Sequence, residues 1–144
     1  MRVLILLVLF TVLGQTVNPI YANNPIVSTT NIKVNNYIMT TGVPGYVPVI
    51  IMTAAEMKSK EGKKYGKFQI VIYGEAVKQF ADKDAGQKLV DMAKAAGATI
   101  ILCDFALIHF GISRESLPKG LEFVQNAFTY NLDMLREGYF VLGV

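Results

Sequence analysis

Apolar and polar positions change period several times along this chain. Val3 to Leu13 is one apolar run, entered from Arg2 and closed by Gly14 and Gln15. Residues 23–33 (NNPIVSTTNIK) are polar and turn-rich, which reads as a tail or linker. Val34 to Thr40 (VNNYIMT) reads as a short strand, and Thr41-Gly42-Val43-Pro44-Gly45 as a loop. From Tyr46 the spacing becomes helical, because Val47, Ile50, Ile51, Ala54 and Met57 recur at intervals of three and four. Pro48 suits the first turn, where a missing N–H costs nothing. This helix is expected to run to about Lys60 and to stop before Gly62. Phe68 to Tyr73 (FQIVIY) is an almost unbroken apolar strand, closed by Gly74. Such runs suit a sheet covered on both faces.

Asp82 or Asp84 can cap the next helix, whose apolar side is Leu89, Val90, Met92, Ala93 and Ala96, with Gly97 at its end. Ala98 to Cys103 (ATIILC) is another buried-type strand. Asp104 then reads as the N-cap of a short helix over Phe105–Phe110, stopped by Gly111. Leu121–Val124 predicts a fourth strand. Asn126–Glu137 predicts a helix with Phe128, Leu132 and Leu135 on one side, and Gly138 ends it. Tyr139–Val144 (YFVLGV) is the expected closing strand. Strand and helix therefore alternate. That order predicts an α/β three-layer sandwich with a five-stranded, mostly parallel sheet and right-handed crossovers. The expected strand order is the flavodoxin-like 2-1-3-4-5.

Composition refines this picture. Of 144 residues, 52% are apolar and 17% charged, so a disordered chain is excluded. Residues 1–22 have the layout of a secretory signal peptide: a basic start, an apolar middle and a small residue, Ala22, at the expected cut. The 11-residue run is too short to cross a bilayer, which takes about 20 residues in a helix. The expectation is a domain over 34–144 in the periplasm or outside the cell, with no membrane contact after signal removal. The formal charge is +3, too small a surplus for a nucleic-acid footprint. Lys58, Lys60, Lys63, Lys64 and Lys67 read as a solvated helix end and loop.

Candidate chemistry concentrates where the strands end, since open parallel sheets bind ligands beyond their carboxyl ends. Thr41 and Gly42 follow the first strand, Gly74 and Glu75 the second, and Cys103 and Asp104 the third. With the order 2-1-3, the first and third of these segments would flank the crevice. Cys103 is the only cysteine, so it has no disulfide partner within the chain. A strand exit leading into a helix start favours a thiolate, which is the nucleophile and the form that takes up sulfane sulfur. The neighbouring Asp104 carboxylate opposes that charge. His109, the only histidine, is a candidate base or anion stabiliser, although six residues from Cys103 on a regular helix it would not share its face. Packed-core and surface readings of Cys103, His109 and Glu75 stand beside these roles. The sequence contains no GxGxxG, GxxxxGK[ST], HExxH, CxxC or GxSxG motif. Dinucleotide, P-loop, zinc-protease and serine-hydrolase chemistry are thus unsupported, and no cofactor or metal is expected.

Three stretches carry a family resemblance: IVIYGEAV (70–77), AGATIILCDFALIHFGI (96–112) and LPKGLEFVQNAFTYNLDMLREGYFVLGV (117–144). Together they resemble the DsrE/DsrF-like sulfur-relay superfamily. Its pattern is an apolar strand ending in Gly, a Gly-led strand ending in Cys, a Leu-Pro-x-Gly turn and a closing Glu-Gly-Tyr strand. The resemblance covers roughly the whole of 34–144. It implies a flavodoxin-like α/β fold in homotrimers or hexamers. It also implies that Cys103 matches the cysteine that carries persulfide sulfur between donor and acceptor proteins. The chain departs from the pattern in two ways: Tyr73 stands where many members have His, and cytoplasmic relay members lack a signal peptide. Two functions follow as expectations. One is a thiol-based sulfur carrier or transferase using Cys103. The other is a non-catalytic oligomeric binding or assembly protein in which Cys103 only packs.

Overall fold

The structure, a computed structural model, describes residues 33–144. The expected signal peptide (1–22) and nearly all of the linker (23–33) lie outside the described residues. Five strands form one sheet: β1 (Asn35–Thr41), β2 (Tyr65–Ile72), β3 (Ala98–Cys103), β4 (Glu122–Val124) and β5 (Phe140–Gly143). Four helices connect them: α1 (Tyr46–Glu61), α2 (Lys83–Ala95), α3 (Asp104–His109) and α4 (Ala127–Arg136). Every pairing in the sheet is parallel. This is the α/β sandwich that the alternation implied.

The strand order is β4-β3-β2-β1-β5, not 2-1-3-4-5. The difference has a physical reason. β2 buries Phe68, Ile70, Val71 and Ile72, and needs neighbours on both edges as well as cover on both faces. It therefore sits in the middle and takes β3 on the side away from β1. The shorter, more exposed β4 and β5 form the edges. The chain winds in one direction through its first four strands and then crosses back once to lay β5 against β1.

Right-handed crossovers put α1 and α2 on one face and the returning α4 on the other. Side-chain contacts agree. Tyr37, on one face of β1, donates its hydroxyl to Glu61 at the end of α1. Gln69, of the opposite parity on β2, accepts from the Tyr130 hydroxyl of α4 at 3.0 Å. α1 buries Val47, Ile50, Ile51 and Ala54, as its spacing predicted.

α4 does not follow its sequence pattern. Its buried residues are Ala127 and Asn131, while Phe128, Leu132 and Leu135 are 58%, 59% and 55% exposed. The apolar stripe expected to face the core faces outward. α2 shows a smaller departure, since Val90, Ala93 and Ala96 are buried while Met92 is exposed. Asp82 caps that helix, its Oδ1 accepting from the N–H groups of Asp84 and Ala85 at 3.1 and 3.0 Å. A 3-10 segment, Gly74–Phe80, fills the connection before α2 and buries Ala76, Val77 and Phe80.

Candidate functional site

The strand order decides which strand exits are neighbours. β2 lies between β1 and β3, so the exit of β3 faces the exit of β2, and the expected crevice between strands one and three does not form. A cavity of about 470 Å³ opens at the exits of β2 and β3. Tyr73, Gly74 and Glu75 line it from the end of β2, and Cys103, Phe105, Ala106, His109 and Phe110 from the end of β3 and α3. Asn126 and Phe128 close it from the start of α4.

Four of the sequence-derived candidates therefore meet: Cys103, His109, Gly74 and Glu75. Cys103 precedes α3 in extended conformation (φ −82°, ψ 119°). It belongs to the strand exit and not to the helix, so the helical-face objection to a shared site with His109 does not apply. The Cys103 residue is 5% exposed. Its sulfhydryl points at the Gln125 carbonyl oxygen, 3.7 Å away, which also accepts from the Phe105 N–H at 3.2 Å. His109 is exposed at the end of α3 and meets Phe110 edge to face, with ring centroids 4.7 Å apart. Glu75 is paired with Lys78 at 3.1 Å, and the Lys78 ammonium lies 4.2 Å from the centre of the Phe110 ring. The mouth thus has one cation, one carboxylate and one imidazole above mainly aromatic walls.

Thr41, Gly42 and Asp104 take other positions. Thr41 is fully buried, and its hydroxyl accepts from the Val43 N–H at 3.1 Å. The Thr41 and Gly42 carbonyls accept from the Tyr73 and Ala76 N–H groups at 3.0 and 3.1 Å. These two residues therefore tie down the turn that carries Tyr73, Gly74 and Glu75. Gly42 is glycine for a steric reason: a Cβ there would lie 2.9 Å from Cε2 of Tyr73. Gly74 has φ +53°, a left-handed conformation that glycine adopts without strain.

Asp104 is not a side-chain cap for α3. Arg114 grips its carboxylate through two nitrogens, with Nε 2.8 Å from Oδ1. That hydrogen bond pushes the guanidinium pKa further up. The negative charge expected to oppose a thiolate at Cys103 is thus matched by a fixed positive one. The Arg114 guanidinium also stacks 4.4 Å from the centre of the Phe123 ring.

Tyr73, Phe105, Phe110, Asn126 and Phe128 were not read from the sequence as site residues. Tyr73 and Phe128 pack edge to face at 5.0 Å and form one wall together. The α4 stripe was the available signal, since an apolar face turned outward at its first turn reaches this cavity. Among the described residues, no cluster of three or more His, Cys, Asp or Glu is placed to hold a metal ion.

No family model matches the chain, and no curated protein matches it. Its fold is shared with solved structures. A protein of unknown function from Methanobacterium thermoautotrophicum superposes with a TM-score of 0.65 at 14% identity, covering 77% of this chain and 99% of that one. A conserved protein of unknown function from Bacteroides thetaiotaomicron gives 0.56 at 17% identity, over 76% and 95% of the two chains. The ychN protein of E. coli gives 0.52 at 14% identity, over 76% and 99%. At these identities the likeness is one of fold, and it agrees with the α/β sandwich described above.

Proposed function

We propose that the protein is a thiol-based sulfur carrier of DsrE-like fold, with Cys103 as the carrying residue. One observation carries the reading: the chain's single sulfhydryl lies in the wall of an open cavity at the strand exits that Glu75 and His109 also line. In the proposed step the Cys103 sulfur attacks the outer, sulfane sulfur of a donor persulfide. One S–S bond forms at Cys103 and one breaks in the donor. The donor leaves as its thiol, so R–S–SH and Cys103–SH become R–SH and Cys103–S–SH with no net oxidation. Attack by an acceptor thiol on the sulfane sulfur reverses the exchange and regenerates Cys103. The Cys103 proton passes to His109, or to water at the mouth, and returns to the leaving thiolate. Tyr73, Phe105, Phe110 and Phe128 give the persulfide mainly apolar surroundings. The signal-like layout of residues 1–22 supports a location in the periplasm or outside the cell, and the family resemblance supports a homo-oligomer with a donor or acceptor protein as partner.

The test is uptake of sulfane sulfur. The full chain, incubated with cysteine persulfide and then freed of it, should gain the mass of one sulfur atom. A thiol acceptor should remove that mass, and Cys103→Ser should never show it. A native thiol that stays unmodified under conditions that persulfidate free cysteine defeats the proposal.

A second reading, an oligomeric binding or assembly protein in which Cys103 only packs, has its own support. The residue is 5% exposed and its sulfhydryl is already directed at the Gln125 carbonyl. Under that reading Cys103→Ser leaves ligand or partner binding unchanged.

A further inference from the structure

The strands are all parallel and α1, α2 and α4 return between them, so strand starts and helix ends share one end of the domain, opposite the Cys103 cavity. Lysines collect at that end. Lys58 and Lys60 lie in the last turn of α1, Lys63 and Lys64 in the 3-10 turn Gly62–Lys64 that follows, and Lys67 near the start of β2. The fold adds two that are distant in sequence. Lys94 lies in the last turn of α2, and the Lys58 ammonium reaches the neighbouring Ala95 carbonyl at 3.4 Å. Lys33 leads into β1, where Asn35 pairs with Tyr65 and the Asn36 side chain accepts from the Lys67 N–H at 2.9 Å. All of these lysines are exposed.

A helix C-terminus attracts cations, and Lys58 meets that demand through the Ala95 carbonyl. The other lysines exceed it. Among the described residues Lys60, Lys63, Lys64 and Lys67 have no ion pair and no side-chain hydrogen bond. The acids at this end are partly engaged already. Glu61 accepts from the Tyr37 hydroxyl and from the Asn35 amide at 3.2 Å, and Asp133 pairs with Arg136 at 3.1 Å. Glu56, one turn before Lys60, and Glu137, at the end of α4, remain exposed. The balance is a concentrated positive surface, which fits an anionic counter-surface.

We infer that this end of the domain docks electrostatically on an anionic phospholipid bilayer, against the sequence-based expectation of no membrane contact. Two observations choose a bilayer over other polyanions. The unpaired cations are lysines, point charges that suit a field of mobile headgroups. The arginine at this end, Arg136, which could grip a single phosphate through two nitrogens, is engaged with Asp133. The chain outside the described residues also joins the domain here, since residues 1–32, with the apolar run Val3–Leu13, lead directly to Lys33. This end is therefore the one tethered closest to a bilayer that the run enters during export. Clusters of about 4–8 basic residues at a membrane surface hold proteins to acidic lipid. Docked this way, the domain turns the Cys103 cavity away from the bilayer and towards soluble partners. The inference does not rest on the chemistry of Cys103.

The test is co-sedimentation of the full chain with vesicles of phosphatidylcholine alone and of phosphatidylcholine with an equal part of phosphatidylglycerol. The apolar run binds both vesicles alike, so the difference between them reads the lysine end. The chain should favour the anionic vesicles, and high salt should abolish that preference while leaving binding to neutral vesicles in place. Lys63→Gln with Lys64→Gln should weaken the preference about 25-fold, about fivefold for each ammonium lost. Lys83→Gln with Lys88→Gln removes the same charge from the start and middle of α2 and should change it less than about twofold. Circular dichroism should show both variants folded. Equal binding to the two vesicles would overturn the inference. Equal weakening by the two variant pairs would overturn it as well, because net charge and not this end would then be responsible. So would an oligonucleotide that binds the full chain more tightly than the anionic vesicles and is lost with Lys63 and Lys64, since the surface would then be one for nucleic acid.

Discussion

Gly86 sets two effects against each other, and their magnitudes decide the sign. It lies in the first turns of α2, inside a helix where Ala is favoured over Gly by up to about 1 kcal/mol. Propensity alone therefore predicts that Gly86→Ala stabilises the protein. Packing predicts the reverse. A Cβ at Gly86 would lie 2.8 Å from Cγ of Pro118, 3.0 Å from Cα of Phe80 and 3.3 Å from the Phe80 carbonyl oxygen. The Pro118 ring can pucker away, but the Phe80 backbone is held by a side chain that is fully buried. Forcing extra atoms into such a site costs about 1–3 kcal/mol. The net expectation is a loss of about 1 kcal/mol, or a fall in melting temperature of about 4 °C for a domain of this size. Gly45 is the control. It has helical dihedrals (φ −62°, ψ −19°), and nothing lies within 4 Å of where its Cβ would be. Gly45→Ala should stabilise by about 0.4–1 kcal/mol, chiefly by restricting the unfolded chain. Urea unfolding reads both as midpoint shifts at constant slope. A Gly86→Ala midpoint above that of the parent would refute the close approach of α2 to Phe80 and Pro118.

Two further outcomes are expected. Asn131 is buried on the core side of α4, and its Oδ1 has no hydrogen-bond partner. A buried unsatisfied polar group costs about 1–3 kcal/mol, so the near-isosteric Asn131→Leu should raise the urea midpoint, whereas a lower midpoint would mean that the amide oxygen is satisfied. Tyr65 has its pKa pushed up to about 12, first by burial and then by the charges of Glu61 and Tyr37. Folded Tyr65 thus holds its proton more tightly than the unfolded chain, whose tyrosines titrate near pH 10. Its contribution is fully present below pH 10 and lost as pH rises to about 12, so the urea midpoint should fall across that window and fall less in Tyr65→Phe.

Local structure was the most legible part of the sequence. β3 spans Ala98–Cys103 as its pattern predicted, and α1 differs from its reading by one residue at its end. These elements combine an unambiguous period with clear breakers. β2 begins at Tyr65, three residues before its apolar run, because Tyr65 still pairs with Asn35 of β1 across an irregularity at Gly66 and Lys67 that the apolar pattern does not mark. The strand order was harder to read. Alternation of strand and helix fixes crossover handedness, but not the side of β1 on which β3 docks. The unbroken apolar run of β2 did carry the answer, since a strand buried on both faces belongs in the middle of a sheet.

The site was legible by halves. Strand exits named Gly74, Glu75 and Cys103, because the carboxyl edge of a parallel sheet is fixed by chain direction alone. Which exits meet depends on strand order: the order 2-1-3 groups Thr41 and Gly42 with Cys103, and the central position of β2 separates them. Asp104 reads as a cap from its place before a helix. Only the folded chain brings Arg114, ten positions on, to its carboxylate. The side of α4 that faces inward was not readable from hydrophobicity, since the helix buries Ala127 and Asn131 and leaves Phe128, Leu132 and Leu135 outside.

The single return crossing also has a consequence for biosynthesis. β1 is flanked by β2 and β5, and Tyr37 aligns with both Phe68 and Phe140. The strands and helices that precede β5 in the chain can collapse before it docks. During that interval one flank of β1 is bare, and the nascent chain carries an unlatched edge that any extended neighbour can occupy. Emergence of Phe140 to Gly143 is the event that latches it. Docking of β5 against β1 is therefore the point at which yield of properly closed protein is won or lost to aggregation.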